Sequence, residues 1–215
     1  PNSSGTTSPA ADPVARASGS GYQRQMSGTV EAIEKRDGRR ERAVASRARI
    51  LEAMVDLIQA GEVQPSAEAV AIRAGVGVRT VFRLFNDVEG LHRGLQQVMD
   101  ERLAPIYDEP VHGTLAERLD QLVARRAVVF GKLARPKAFA DANRARSPSL
   151  TAGHQAFVRR QRELLLRHLD GVAVVDGDLL EALDLALSFD VWRRLREDQG
   201  LTVADAQRVV GVMAR

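Results

Sequence analysis

The chain has 215 residues, long enough for one sizeable domain or two small ones, with ordinary apolar (44%) and charged (27%) content. It has no cysteine, which excludes a disulfide framework and thiolate metal sites and fits a reducing, cytoplasmic setting. A net charge of +3 is too small to argue for nucleic acid by itself, and no apolar run approaches the roughly 20 residues that span a bilayer.

In chain order, residues 1–38 are rich in Gly, Ser, Ala, Thr and Pro, without a signal-peptide core. They are expected to form a disordered tail in which Met26 offers an internal start. From Arg39 onward the pattern is helical. Val44, Leu51, Val55 and Ile58, flanked by Ile50 and Met54, mark a first helix that ends near Gly61. Ser66 is placed to cap a second helix through Val70, Ala71 and Ala74, closed by Gly75. "GVRTVFRLF" forms a third. Asp87 caps a fourth that runs through Leu91, Leu95, Val98, Met99 and Leu103 to a stop at Pro105. Longer amphipathic helices are expected at about 114–134, 137–146, 150–170, 177–199 and 202–214, with breaks at Pro136, Ser147-Pro148, Gly171 to Gly177, and Gly200. No stretch alternates with period two, so the fold class is all-α.

The second and third helices are joined too tightly for an ordinary linker. Their crossing needs a small residue, here Ala71, and the turn needs one tolerant of positive φ, here Gly75 four positions later. Val70, Ala74, Val76, Val81 and Leu84 supply apolar positions that lock the pair, which is the helix-turn-helix pattern. With Val81 and Leu84 inward, the third helix displays Arg79, Thr80, Phe82 and Arg83. Arginine can bond guanine bidentately in the major groove, threonine can pack on the thymine methyl, and recognition helices dock through their N-terminal residues.

"SAEAVAIRAGVGVRTVFRLFNDVEGL" closely resembles the N-terminal DNA-binding domain of the TetR family of transcriptional regulators, through Ser66, Ala74, Gly75, Val76, Thr80, Phe82, Phe85, Glu89 and Leu91. The resemblance is specific over residues 39–92; "VWRRLREDQGLTVADAQRVV" is similar, less specifically, to the last two helices of many members. It implies a three-helix head (39–86) on a helical ligand-binding and dimerisation domain (87–215). It further implies a homodimer on a palindromic operator of double-stranded DNA, acting as a repressor released by a small-molecule inducer. Members commonly carry Ser or Thr where this chain has Gly77, Tyr where it has Phe82, and Lys where it has Val88. The phosphate contacts made by those side chains are therefore not carried over.

Candidate DNA-contacting residues are Arg39, Arg40, Arg42, Arg47, Ser66, Gly77, Val78, Arg79, Thr80, Phe82 and Arg83. Val78, Arg79, Thr80 and Arg83 are placed for bases. Ser66 and the arm "RRERAVASRAR", five arginines against one glutamate, are placed for phosphate. Helix 177–199 is apolar almost all round, so one side is expected to meet a twin. The expected dimer contacts are Leu183, Leu187 and Trp192, with Val209, Val210 and Met213 from the last helix.

Arg126 interrupts one apolar stripe and His168 another, and residues 135–167 hold eight Lys or Arg against two acidic residues. With Phe130 and Phe157 these suggest a ligand site for an apolar molecule bearing an acidic group. The four histidines are dispersed, and no nucleophile elbow, phosphate loop or dinucleotide motif occurs. The expectation is therefore no metal, no cofactor and no enzyme. The alternative reading of the same features is an α-helical small-molecule-binding or protein-interaction module whose head has lost DNA binding.

Overall fold

A computed structural model describes the backbone of residues 19–170 and 176–215, and the side chains from residue 38 onward within those ranges. Among the described residues the chain is helical and contains no strand. It divides into two compact units at Ala45–Ser46, and residues 46–86 of the head and the larger helical part lie in the second.

Helix α1 spans Gly19–Gln59. Residues 19–38, expected as part of a disordered tail, are thus helical, while residues 1–18 of that expectation lie outside the described residues. Composition misled here because Gln, Arg, Glu, Lys and Met are good helix formers, and a helix needs no apolar face to propagate once nucleated. Past Ser46, α1 buries Ile50, Met54, Leu57 and Ile58, the helical spacing the sequence shows. Helix α2 (Ala67–Ala74) and helix α3 (Val78–Phe85) close the head. Helix α4 (Val88–Tyr107) begins at the Asp87 cap and runs through Pro105 instead of stopping there.

Helix α5 (Leu115–Asn143) opens with a complete capping box, Thr114 and Glu117 bonding each other's backbone. It continues through Pro136, where the sequence suggests a break. Proline removes one N–H from a helix, but this ring is buried, and packing on both sides keeps the 29-residue helix whole. A short 3-10 turn, Arg144–Arg146, leads to helix α6 (Pro148–His168), capped by Ser147. Most of the break expected at Gly171 to Gly177 lies outside the described residues.

Helix 177–199 is two helices: α7 (Gly177–Ala186) and α8 (Phe189–Arg193). Ser188 separates them, its hydroxyl accepting from the Val191 N–H at 3.3 Å in place of a helical carbonyl. A π-type turn, Arg194–Asp198, and Gly200 at φ +67° lead into helix α9 (Val203–Met213).

Two apolar clusters organise this unit. One joins α4 through α9 around Leu122, Phe130, Leu165 and Leu187. The other holds the head on Ile50, Met54, Val70, Val81 and Phe85, and continues through Leu91, Leu95, Phe139 and Leu150 of α4, α5 and α6. Residue 86 is therefore a chain boundary between helices and not a gap between cores.

Candidate nucleic-acid interface and ligand cavity

The turn between α2 and α3 follows from three residues. Ser66 caps α2, its Oγ accepting from the Ala69 N–H at 3.1 Å. Gly75 sits in the left-handed region at φ +65°, and Val76 N–H returns to the Ala71 carbonyl at 3.0 Å while Gly75 N–H returns to Ile72 at 3.2 Å. That double closure needs a residue without a Cβ penalty, hence glycine. Ala71, 1% exposed, leaves room for the close crossing.

Helix α3 is held by Val81 and Phe85, both 2% exposed. Leu84, expected inward, is only half-buried; Phe85 takes the second anchor position. Arg79, Phe82 and Arg83 face out, with Val78 and Thr80 at the edge of that face. One of the two phenylalanines is thus core and the other surface. Gly77 starts α3 with no side-chain cap, so no hydroxyl competes for the first amides of the helix.

The arginine arm divides. Arg39, Arg40 and Arg42 are exposed on α1. Arg47 instead donates from Nη1 to the Leu84 carbonyl at 2.9 Å and lies 4.2 Å over the Phe85 ring. It closes the C-terminal end of α3, where a cation is favoured, so its charge is engaged inside the head.

Asn86 and Gly90, which the sequence reading passed over, govern how α3 meets α4 on either side of the expected Asp87 cap. Asn86, at φ +65°, turns the chain, and Asp87 caps α4 by accepting from the Gly90 N–H at 2.6 Å. Gly90 lies so close to the end of α3 that a Cβ there would stand 1.9 Å from the Phe85 carbonyl oxygen. The signal was a glycine three residues after a cap, in a helix where propensity alone disfavours it.

Glu89, in the same first turn, accepts from the Ser149 N–H at the start of α6, at 2.9 Å. His92 lies 3.6 Å from Glu89, and its Nδ1 is 3.0 Å from the Ser147 hydroxyl. Burial by itself raises the Glu89 carboxyl, but hydrogen bonds from Ser149 and Ser147, with His92 adding to them, hold it at about 2. Burial pushes the His92 imidazole down, with Glu89 opposing.

Helices α4, α5 and α6 line an open-mouthed cavity of about 1070 Å³. Its apolar wall includes Leu95, Met99, Leu103, Tyr107, Phe139 and Phe157; its polar wall includes Gln96, Asp100, Lys137, His154, Arg160 and Glu163. Burial moves the Asp100 carboxyl up, against the pull of Arg160, and pushes the Tyr107 phenol up to about 12. Gly153 leaves room for the Gln96 side-chain amide, which a Cβ there would meet at 2.0 Å.

Of the four expected ligand residues, only Phe157 lines this cavity. Arg126 is 3% exposed and donates to two carbonyls, Leu187 at 2.5 Å and Gln161 at 2.6 Å, tying α5 to the end of α7 and to α6. Burial draws its pKa down to about 10, opposed by Asp184 and Tyr107. His168, 1% exposed, bonds the Leu164 carbonyl through Nδ1 at 2.6 Å, and burial lowers its pKa. Phe130 stacks edge-on to Phe189 at 5.4 Å and tilts toward Trp192 at 6.2 Å. A polar residue on an apolar stripe signals a buried partner, and here the partners are backbone carbonyls of this chain.

The expected dimer contacts differ in exposure within the single chain. Leu183, Leu187, Trp192 and Val210 are buried within the chain, Val209 is half-buried, and only Met213 is well exposed, at 47%. The apolar residues that α7 and α9 leave open are Leu179 and Leu185, and Val203 and Val212 beside Met213. No helix among the described residues is long and apolar enough to cross a membrane.

No protein-family model matches the chain, and no curated protein does. Solved structures do. A protein assigned to the TetR family of transcriptional regulators, from Mesorhizobium loti, matches with a TM-score of 0.54 at 16% identity, over 80% of this chain and 95% of its own. The multidrug binding protein EbrR, complexed with imidazole, matches at 0.55 and 18% identity, over 78% of this chain and 88% of its own. A TetR transcriptional regulator from Rhodococcus sp. RHA1 matches at 0.52 and 20% identity, over 79% and 93%. Head and helical bundle together, the chain has the fold of the TetR-family regulators.

Proposed function

We propose that this chain is a ligand-responsive transcriptional regulator, a repressor that binds a palindromic operator as a homodimer and leaves it when a small molecule enters the α4–α6 cavity. The observation that carries the reading is α3. An eight-residue helix anchored through Val81 and Phe85 turns Arg79, Thr80 and Arg83 to one exposed side, in a fold shared with transcriptional regulators. Two such helices spaced by about 34–36 Å would read two half-sites. The Ser66 hydroxyl and the Gly77 backbone amide are assigned to phosphate, Val78 and Phe82 to the edge of the base contacts; the exposed Arg39, Arg40 and Arg42 are assigned to phosphate on their charge alone.

A titration by fluorescence polarisation against DNA flanking the chain's own gene, at two salt concentrations, tests this. The Arg79→Ala/Arg83→Ala double variant is expected to lose about 100-fold or more in specific affinity, while keeping its helical circular dichroism. Affinity independent of salt and of both arginines returns the chain to the alternative reading, a binding module with a silent head.

The cavity supports the ligand half of the proposal. Its size and mostly apolar wall suit a small molecule, and one structural relative is a multidrug binding protein. For the dimer, the open apolar residues of α7 and α9 are the best candidates. The variant Leu185→Glu/Val212→Glu is expected to be monomeric by light scattering and weak on the operator. A variant that remains dimeric places the interface elsewhere.

A further inference from the structure

Taking the cavity as the effector site, on which this step rests, we infer that its occupant is an apolar monocarboxylate whose anionic group pairs with Lys137. Lys137 is 8% exposed and belongs to the cavity wall. A buried ammonium is costly unless a countercharge meets it. Its hydrogen bond goes to His154 Nδ1, at 3.0 Å. The ammonium has no lone pair, so Nδ1 must accept; the imidazole is neutral and carries its proton on Nε2. His154 therefore supplies a hydrogen bond and no charge.

The nearest carboxylate, Asp141, forms a long ion pair with Nζ at 3.7 Å and is shared with Arg144 at 3.6 Å, while Asp190 adds a second, more remote negative charge. The rings of Phe157 and Phe189 lie 5.2 and 5.6 Å away and stabilise a cation without neutralising it. Lys137 is thus a buried positive charge at the cavity wall, held by a neutral ring and two aromatic faces and countered by Asp141 and Asp190 without a close ion pair to either. Burial pulls its pKa below the usual lysine range, as expected for a charge that is only partly compensated.

The remainder of the wall decides what carries the anion. A small inorganic anion would meet Lys137 but leave most of a pocket of about 1070 Å³ unfilled, with the half-buried Met99 and Phe157 on its wall. A wholly apolar ligand would shut Lys137 further from water with nothing gained. The same wall carries Asp100, Glu101 and Glu163 against Arg93, Arg159 and Arg160, so those charges offset one another and leave Lys137 as the one further cation on it. An apolar body with one carboxylate satisfies all three conditions.

Calorimetric titration of the full chain with 1-naphthoate against 1-naphthamide, and decanoate against decanamide, tests the assignment. Each carboxylate is expected to bind about tenfold or more tighter than its amide, a preference that falls to about twofold or less in Lys137→Met and largely survives in Lys137→Arg. Equal binding of acid and amide by the unaltered chain overturns the proposal, as does a preference that persists in Lys137→Met. Because the first comparison uses the unaltered chain, a failure of Lys137→Met to fold does not blunt it. Operator polarisation run in parallel separates the two readings. DNA binding without carboxylate preference overturns the ligand chemistry alone, and carboxylate preference without DNA binding overturns the regulator.

Discussion

Gly90→Ala is expected to abolish operator binding and to destabilise the protein by about 3–5 kcal/mol, although alanine is the better helix former by about 1 kcal/mol. The sign is decided by distance. A Cβ at this position would lie 1.9 Å from the Phe85 carbonyl oxygen and 3.3 Å from the Asp87 carboxylate that caps α4. The obstacle is backbone, which cannot rotate away, so the end of α3 must move or the cap must open. Either change frees Phe85, which anchors the exposed face of α3 to the core. Gly131→Ala supplies the control. It lies in α5 with nothing within 4 Å of its Cβ, and there the same substitution should stabilise by about 0.5–1 kcal/mol. Paired urea denaturation curves check both signs. A Gly90→Ala protein as stable as its parent would show that the contact between α3 and α4 is looser than described.

Arg126→Ala is expected to cost about 3 kcal/mol and to lower Tm by about 6–12 °C. The guanidinium is enclosed by α5, α6 and α7 and donates to the Leu187 and Gln161 carbonyls. Removing it leaves a void and takes away the partner of the Leu187 carbonyl at the end of α7. Carboxylate binding at Lys137 should change far less than stability, because Arg126 does not line the cavity. Differential scanning calorimetry with a naphthoate titration separates the effects. Loss of binding with Tm intact would return Arg126 to the ligand.

These two residues also show what the sequence could and could not disclose. The head was legible because its demands are local. A cap at Ser66, a small residue at Ala71 and a positive φ at Gly75 are fixed by spacings of four or five residues, and an outward Arg79 and Arg83 follow from an inward Val81. Periodicity then reports that a face is buried without saying against what. Leu183, Leu187 and Trp192 read equally well as twin-facing or self-facing, and the chain uses them for itself. Arg126 read as a charge awaiting a ligand because carbonyls 35 and 61 positions away leave no local trace. Lys137 was hidden by the opposite error: Pro136 beside it suggested a helix end, where a lysine attracts no notice. Ser188 was missed because its neighbours are apolar enough to continue a helix through it. The close approach of Gly90 to α3 is tertiary, and glycine identity was its sole signal.

The Glu89 carboxylate gives the head a mechanical stake in the cavity. It is seated on the first turn of α4, three residues past Asn86, and grips the opening amide of α6, the helix that contributes His154 and Phe157 to the cavity wall. A hydrogen bond of 2.9 Å tolerates only a few tenths of an ångström before it weakens. Were α6 to slide, it would either snap this coupling or haul the base of α4, with α3 attached to it, along the same path.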